Sequence, residues 1–303
     1  MNHLLSAADI APNDLDRVFA AASRADRLFE DYSECFKGKI LSLYFETESI
    51  RTSLSFASAF CRLGGNTLDL SESVFKNSRN ESMRDIVKLL GYYCDAIVAR
   101  TKSESSIEEF ARNSEVPIIS AGHGKCEHPT VGMGHLFSIW KSIGHLSGLS
   151  ILVIAKLPKR GVNSMVRLLG RYEDVRLIFL TSPCGRLPSD VERPFKHGIG
   201  NELRYVSGLD EIDDLKKIDA IVIDDSERDY VDKVGSPDYW NPSFDKFVLD
   251  TFRDDVILTA GLPRTRLLPA DMDEDPRCRH LTKSRDSFHI RAAILLFVLG
   301  QLK

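Results

Sequence analysis

Short apolar runs and helically spaced apolar stripes alternate along the chain from end to end, a pattern that predicts an α/β architecture with mostly parallel sheets. Leu15, Val18, Phe19, Ala22 and Phe29 recur at helical spacing, and Asn13 is placed to cap that first helix. The strand KILSLYF follows, then the helix TSLSFASAFCRL ended by Gly64 and Gly65, the strand NTLDL, the helix ESMRDIVKLLGYY, the strand DAIVAR, the helix SSIEEFARN and the strand VPIIS. About four strands therefore precede residue 122. A second series begins with the helix GHLFSIWKSIGHL and continues through the strands SILVIAK, VRLIFLTS, LRYVS, DAIVIDD and DVILTAG, with helices between several of them. It closes with a long apolar helix, SFHIRAAILLFVLGQL. Two sheets of similar size predict two similar-sized α/β domains, divided near residues 131–148. The unpatterned stretch 227–247 is long for a connection and reads as a substrate loop.

With 303 residues, the chain has the length of about two domains. A formal net charge of −4 argues against nucleic acid or an anionic membrane as the main partner, because both need a concentrated basic surface. No apolar run reaches the ~20 residues of a membrane span, and the N-terminus lacks a signal-peptide pattern. Six scattered cysteines then read as reduced thiols in a cytoplasmic protein.

Ligands of open parallel sheets bind at the carboxyl ends of strands, and candidate chemistry gathers there. Ser49, Arg51 and Thr52 stand where a strand gives way to a helix, so that two hydroxyls, a guanidinium and a helix N-terminus suit a phosphate. Read blandly, Ser49 is a helix cap and Arg51 a solvated cation. Arg100 ends the strand DAIVAR. His128, before Pro129, can donate to an oxygen that gains charge. His123, Cys126 and His128 form a small cluster without a fourth ligand, and no metal or cofactor is expected. Arg160 opens a helix in the second half, and Gly261 to Arg264 (GLPR) end the last strand.

Taken in order, these segments resemble the aspartate/ornithine carbamoyltransferase superfamily over nearly the whole chain. FETESIRTSLSF resembles the family's carbamoyl-phosphate motif, DAIVART the strand ending in its carbonyl-binding Arg, and CEHPTVG its H-P-T-Q segment. KLPKRGVNSM is similar to the stretch with the acceptor-binding Arg, GLPR to the P-L-P-R turn, and SFHIRAAILLFVLG to the terminal helix that returns to the first domain. The resemblance implies a carbamoyl-phosphate domain of residues 1–131 plus 286–303 and an acceptor domain of 132–285. It implies an amine attacking carbamoyl phosphate, with phosphate leaving and no protein nucleophile, metal or cofactor. Ser49, Arg51 and Thr52 would hold the phosphate, Thr52, Arg100 and His128 the carbonyl oxygen, and Arg160 the carboxylate of an amino-acid acceptor. Gly261 and Leu262 would face the carbamoyl amino group and acceptor. A homotrimer with shared active sites is implied too, Arg79 standing for the Lys that a neighbouring subunit contributes.

Several positions depart from that pattern. Ile50 stands where the family has Thr, Ser53 where it has a second Arg, Phe75 for the neighbour-loop Ser, Val131 for the Gln of H-P-T-Q and Ala260 for a His. Asp225 and Glu227 fall where the aspartate branch grips its substrate with Arg and Gln. Charge reversal there repels a second carboxylate, so the expected acceptor is an amino acid other than aspartate or ornithine, such as a diamino acid. The alternatives are a catalytically degenerate paralogue acting as a binding or assembly subunit, a true aspartate carbamoyltransferase, or transfer of a different acyl group.

Overall fold

The computed structural model describes residues 3–70, 81–225, 240 and 242–302. The chain forms two compact units, Met1–Met133 with Asp286–Lys303, and Gly134–Arg285. Each is a parallel sheet flanked by helices, the α/β class its sequence pattern predicts.

In the first unit the strands are β1 (Ile40–Phe45), β2 (Asn66–Leu70), β3 (Ala96–Thr101) and β4 (Ile118–His123), in the order β2-β1-β3-β4. β3 and β4 are buried along their whole length, as expected of parallel strands covered on both faces. The helices are α1 (Pro12–Ser23), α2 (Asp26–Asp31), α3 (Ile50–Arg62), α4 (Met83–Tyr93) and α5 (Glu104–Asn113). Val87 and Leu90 of α4 and Ile107 and Phe110 of α5 pack with Tyr44, Ile97 and Ile118 in one apolar core. Helix α1 starts one residue before Asn13, with Ala11 at its cap and Pro12 as first residue, because proline's fixed φ and missing N–H suit that position. Gly64 ends α3 at φ +93°, and a Cβ there would come within 2.6 Å of the Ser33 carbonyl oxygen.

The second unit contains β5 (Ser150–Ile154), β6 (Arg176–Leu180), β7 (Glu202–Val206), β8 (Ala220–Ile223) and β9 (Ile257–Ala260), in the order β7-β6-β5-β8-β9. Between and around them run α7 (Arg160–Leu169), α8 (Ser189–Lys196) and α9 (Lys246–Leu249). The division between units falls inside two helices, α6 (Pro129–Ile143) and α10 (His280–Val298). The C-terminal part of α10 belongs to the first unit: Phe288 stacks on Phe29 of α2 at 5.0 Å, and Arg291 donates to Ser55 of α3. Arg17 of α1 donates to the Leu302 carbonyl just beyond it.

Both strand orders reverse direction once, between β1 and β3 and between β5 and β8. At these switch points the flanking connections leave to opposite faces and open a crevice at the carboxyl ends of the strands. In register, Phe45 pairs with Arg100 at the first switch and Ile154 with Ile223 at the second.

Candidate active site

At the first switch point the chain gathers three of the expected residues into one hydrogen-bonded row. Arg100, at the end of β3, is only 7% exposed. Its Nε donates to the Ala121 carbonyl (2.8 Å), fixing the guanidinium across the end of β4. Its Nη2 lies 3.3 Å from Thr52 Oγ1 and 3.0 Å from His128 Nε2. A guanidinium only donates, so His128 Nε2 accepts and the ring proton sits on Nδ1, 3.4 Å from Thr130 Oγ1. The Thr130 hydroxyl can donate as well as accept, so it can partner either tautomer of the ring. The Phe45 ring lies 5.6 Å from the Arg100 guanidinium carbon.

Backbone clamps hold this row. Glu46 closes the β1–β3 end: its N–H donates to the Arg100 carbonyl, and its carboxylate accepts from the Lys102 N–H (2.6 Å) and the Tyr44 hydroxyl (3.1 Å). Burial, reinforced by Glu46, pushes the Tyr44 phenol above its usual range. Glu127, next to His128, accepts from Ser6 Oγ (2.6 Å) and the Ala7 N–H (2.9 Å) and so pins the N-terminal segment. Pro129 opens α6, so His128 stands immediately before a helix N-terminus.

Ser49 precedes α3, but its hydroxyl makes no capping bond, and the first turn carries no acidic side chain. Ser53 donates the first intrahelical N–H bond, to the Ser49 carbonyl. The start of α3 thus presents N–H groups and the Ser49, Arg51 and Thr52 side chains, with no acidic side chain in that first turn, which suits an anion. Ile50 projects to solvent at 73% exposure.

At the second switch point Arg160 opens α7 after β5, and Asp224 follows β8 with its N–H on the Ile154 carbonyl (3.1 Å). Burial draws the Arg160 guanidinium below its usual range, and the negative charge of Asp224 offsets part of that. Gly261 follows β9, and a Cβ there would lie 4.0 Å from Asp224 Oδ1. Arg160, Asp224 and Gly261 therefore converge, with half-buried Asp225 next in the chain. Leu262 follows Gly261, whereas Arg264 turns to the Leu268 and Pro269 carbonyls and to Asp273, a structural role. A groove of about 700 Å³ lined by Ser150, Arg176, Glu202 and Arg204 lies at the amino ends of these strands, away from the crevice. Arg79, Phe75 and Glu227 lie outside the described residues.

The family model for the aspartate/ornithine carbamoyltransferase carbamoyl-phosphate-binding domain matches residues 2–141. The aspartate carbamoyltransferase catalytic subunit of Clostridium perfringens is 29% identical over 99% of this chain and 98% of its own. The solved catalytic subunit of the M. jannaschii enzyme superposes with a TM-score of 0.86 at 28% identity, covering 99% of this chain and 98% of that one. The Trypanosoma cruzi enzyme solved with carbamoyl phosphate and aspartate gives a TM-score of 0.89 at 25% identity, over 98% of this chain and 96% of that one. The chain belongs to the aspartate/ornithine carbamoyltransferase superfamily.

A carbamoyl transfer calls for donors aimed at an oxygen that gains charge, and Arg100 brings a buried guanidinium to the first switch point. The sequence pattern pointed to Thr52, Arg100 and His128 but not to Glu46 or Glu127. Glu46 sits inside a recognisable motif, and only the pairing of β1 with β3 gives it a purpose. Glu127 is adjacent to a candidate His, yet its partners lie 120 residues earlier, a distance no local pattern spans. Among the described residues no three His, Cys, Asp or Glu side chains converge as a metal site, and no helix is long and apolar enough to cross a membrane.

Proposed function

We propose that this carbamoyltransferase moves the carbamoyl group of carbamoyl phosphate to the amine of an amino acid, with the first unit binding the donor and the second the acceptor. The observation that carries the donor side is the row Thr52–Arg100–His128, three polar side chains buried at a switch point and joined through one guanidinium nitrogen. Ser49, Arg51 and Thr52 hold the phosphate at the start of α3. As the amine attacks, Thr52, Arg100 and His128 donate to the carbonyl oxygen, His128 through Nε2 once Arg100 has turned to the ligand. The tetrahedral intermediate then expels phosphate, which takes the proton of the amine. Rate comes from holding the reactants together and from donors already aimed at the developing charge. Arg160 holds the acceptor carboxylate, and the backbone at Gly261 and Leu262 borders the reacting amine. A homotrimer in which Arg79 completes a neighbour's site is part of the same reading, supported by family resemblance.

The relatives' names support aspartate as the acceptor. One observation favours a second reading, an acceptor with a cationic end such as a diamino acid: Asp224 stands beside Arg160 where a second acceptor carboxylate would meet a negative charge. A panel of amino acids with carbamoyl phosphate, followed by phosphate release, separates them. Efficient turnover of aspartate establishes the first reading, and a diamino acid used at least tenfold better establishes the second. Binding of carbamoyl phosphate without turnover of any acceptor would point to a degenerate binding subunit and overturn both.

A further inference from the structure

Arg291 lies on α10, within the apolar stretch Ile290 to Leu296, and is 5% exposed. Among the described residues it forms no ion pair. Its Nη1 donates to Ser55 Oγ at 2.6 Å, its guanidinium lies 5.6 Å from the centre of the Phe56 ring, and its Nε is buried without a hydrogen-bond partner. Ser55 is itself tied to the anion corner, its hydroxyl donating to the Arg51 carbonyl (2.6 Å) and, at 3.0 Å, to the Thr52 carbonyl. One chain of hydrogen bonds therefore runs from the last helix to the backbone of two residues proposed to hold phosphate. Burial, and after it the positive charge of Arg51, hold Arg291 down to about 10.

A buried cation that feels a second cation and lacks a carboxylate is unfavourable in the free protein. It becomes favourable when an anion of more than one negative charge settles between or before the pair, since both guanidinium groups then gain attraction.

We infer that Arg291 is a positioning residue for the phosphate group of the substrate, setting the first turn of α3 through Ser55 and adding its charge behind Arg51. The inference rests on the reading of the α3 corner as the phosphate site. It gives the terminal helix a part in substrate binding beyond closing the fold of the first unit.

The test is calorimetric titration of the full chain with inorganic phosphate, together with melting curves of the ligand-free protein. Arg291→Met keeps the length of the side chain and its contact with Phe56 but removes the charge. Its phosphate Kd is expected to rise at least tenfold while the ligand-free melting temperature stays level or rises. Arg291→Lys keeps the charge and is expected to bind phosphate within threefold of the parent. An Arg291→Met protein that binds phosphate within twofold of the parent, while Arg51→Ala does not, overturns the inference and leaves the phosphate site standing. A fall of both affinity and melting temperature in the Met and Lys variants alike also overturns it, since that is the mark of a purely structural residue. A parent protein that binds no phosphate overturns the inference and the reading beneath it together.

Discussion

The two switch points share a topology and differ in electrostatics. In the first unit, exposed Arg51 lowers the stability of the charge on buried Arg291, and the first turn of α3 carries no acidic side chain. In the second, burial disfavours the Arg160 cation and the negative charge of Asp224, just after β8, offsets part of that. A corner in which two cations act on each other binds a suitable anion strongly and discriminates little. A compensated one gains less from a single carboxylate but separates acceptors by what else they carry, because the acid repels a second carboxylate and attracts a cation. Under the proposed function, donor binding and acceptor choice would then be divided between the units.

The largest expected effect comes from breaking the donor row. Arg100→Ala removes the group that holds Thr52 and His128 together and is expected to lower kcat/KM by about 10³, roughly 4 kcal/mol of barrier. Arg100→Lys should rescue little, since an ammonium cannot span the Ala121 carbonyl, Thr52 and His128 as the planar guanidinium does. Phosphate-release kinetics measure both. A loss below tenfold in Arg100→Ala would separate the row from the chemistry.

Next in size is the clamp behind His128. Glu127→Ala removes two hydrogen bonds to a buried carboxylate, from Ser6 and Ala7, and is expected to cost about 2–3 kcal/mol of stability in urea unfolding. The freed N-terminal segment would also release the backbone beside His128, so kcat should fall with stability. Unchanged unfolding would show that the segment holds through its Leu4 pairing with β4 alone.

The position of Asp224 sharpens the contrast between the corners most directly. Asp224→Asn leaves Arg160 without its counter-charge, so KM for aspartate should fall about tenfold, or about 1.4 kcal/mol, while KM for a diamino acid rises. Opposite movement of the two constants is the signature of a charge that selects acceptors. Parallel movement would mean that Asp224 only shapes the loop.

Much of the architecture is legible in the sequence because parallel strands covered on both faces are continuous apolar runs, and β1, β3 and β5 stand out for that reason. Arg100 stands out by the same periodicity, because it sits at the end of the apolar run of β3, whereas Arg160 is marked by the strand-to-helix junction it opens. Arg291 follows from neither. Inside SFHIRAAILLFV a single Arg reads as one polar position on a packed helix, and its relation to Ser55 depends on residues 236 positions apart meeting in the fold. A signal was nonetheless present, because a guanidinium among Ile290, Ala292, Ala293 and Ile294 is costly to bury and calls for a purpose. Ser49 shows the reverse case: its sequence position suggests a helix cap, yet its hydroxyl makes no capping bond.

The smallest expected effect tests whether the cationic corner is already saturated. Ile50 is the first residue of α3 and 73% exposed, so Ile50→Thr sacrifices no core packing and should leave stability within about 0.5 kcal/mol. It adds a hydroxyl donor at the helix N-terminus, where one more hydrogen bond to a charged oxygen is expected to lower KM for carbamoyl phosphate about fivefold, close to 1 kcal/mol. The gain depends on an oxygen of the phosphate being short of a donor. If KM does not move, the N–H groups of α3 together with Ser49, Arg51 and Thr52 already satisfy the phosphate, and the Ile is tolerated because the two guanidiniums supply the attraction that a hydroxyl would otherwise add. Repeating the substitution in Arg291→Met then decides the matter: a threonine that helps only when Arg291 is absent means that charge from the last helix had taken the hydroxyl's place.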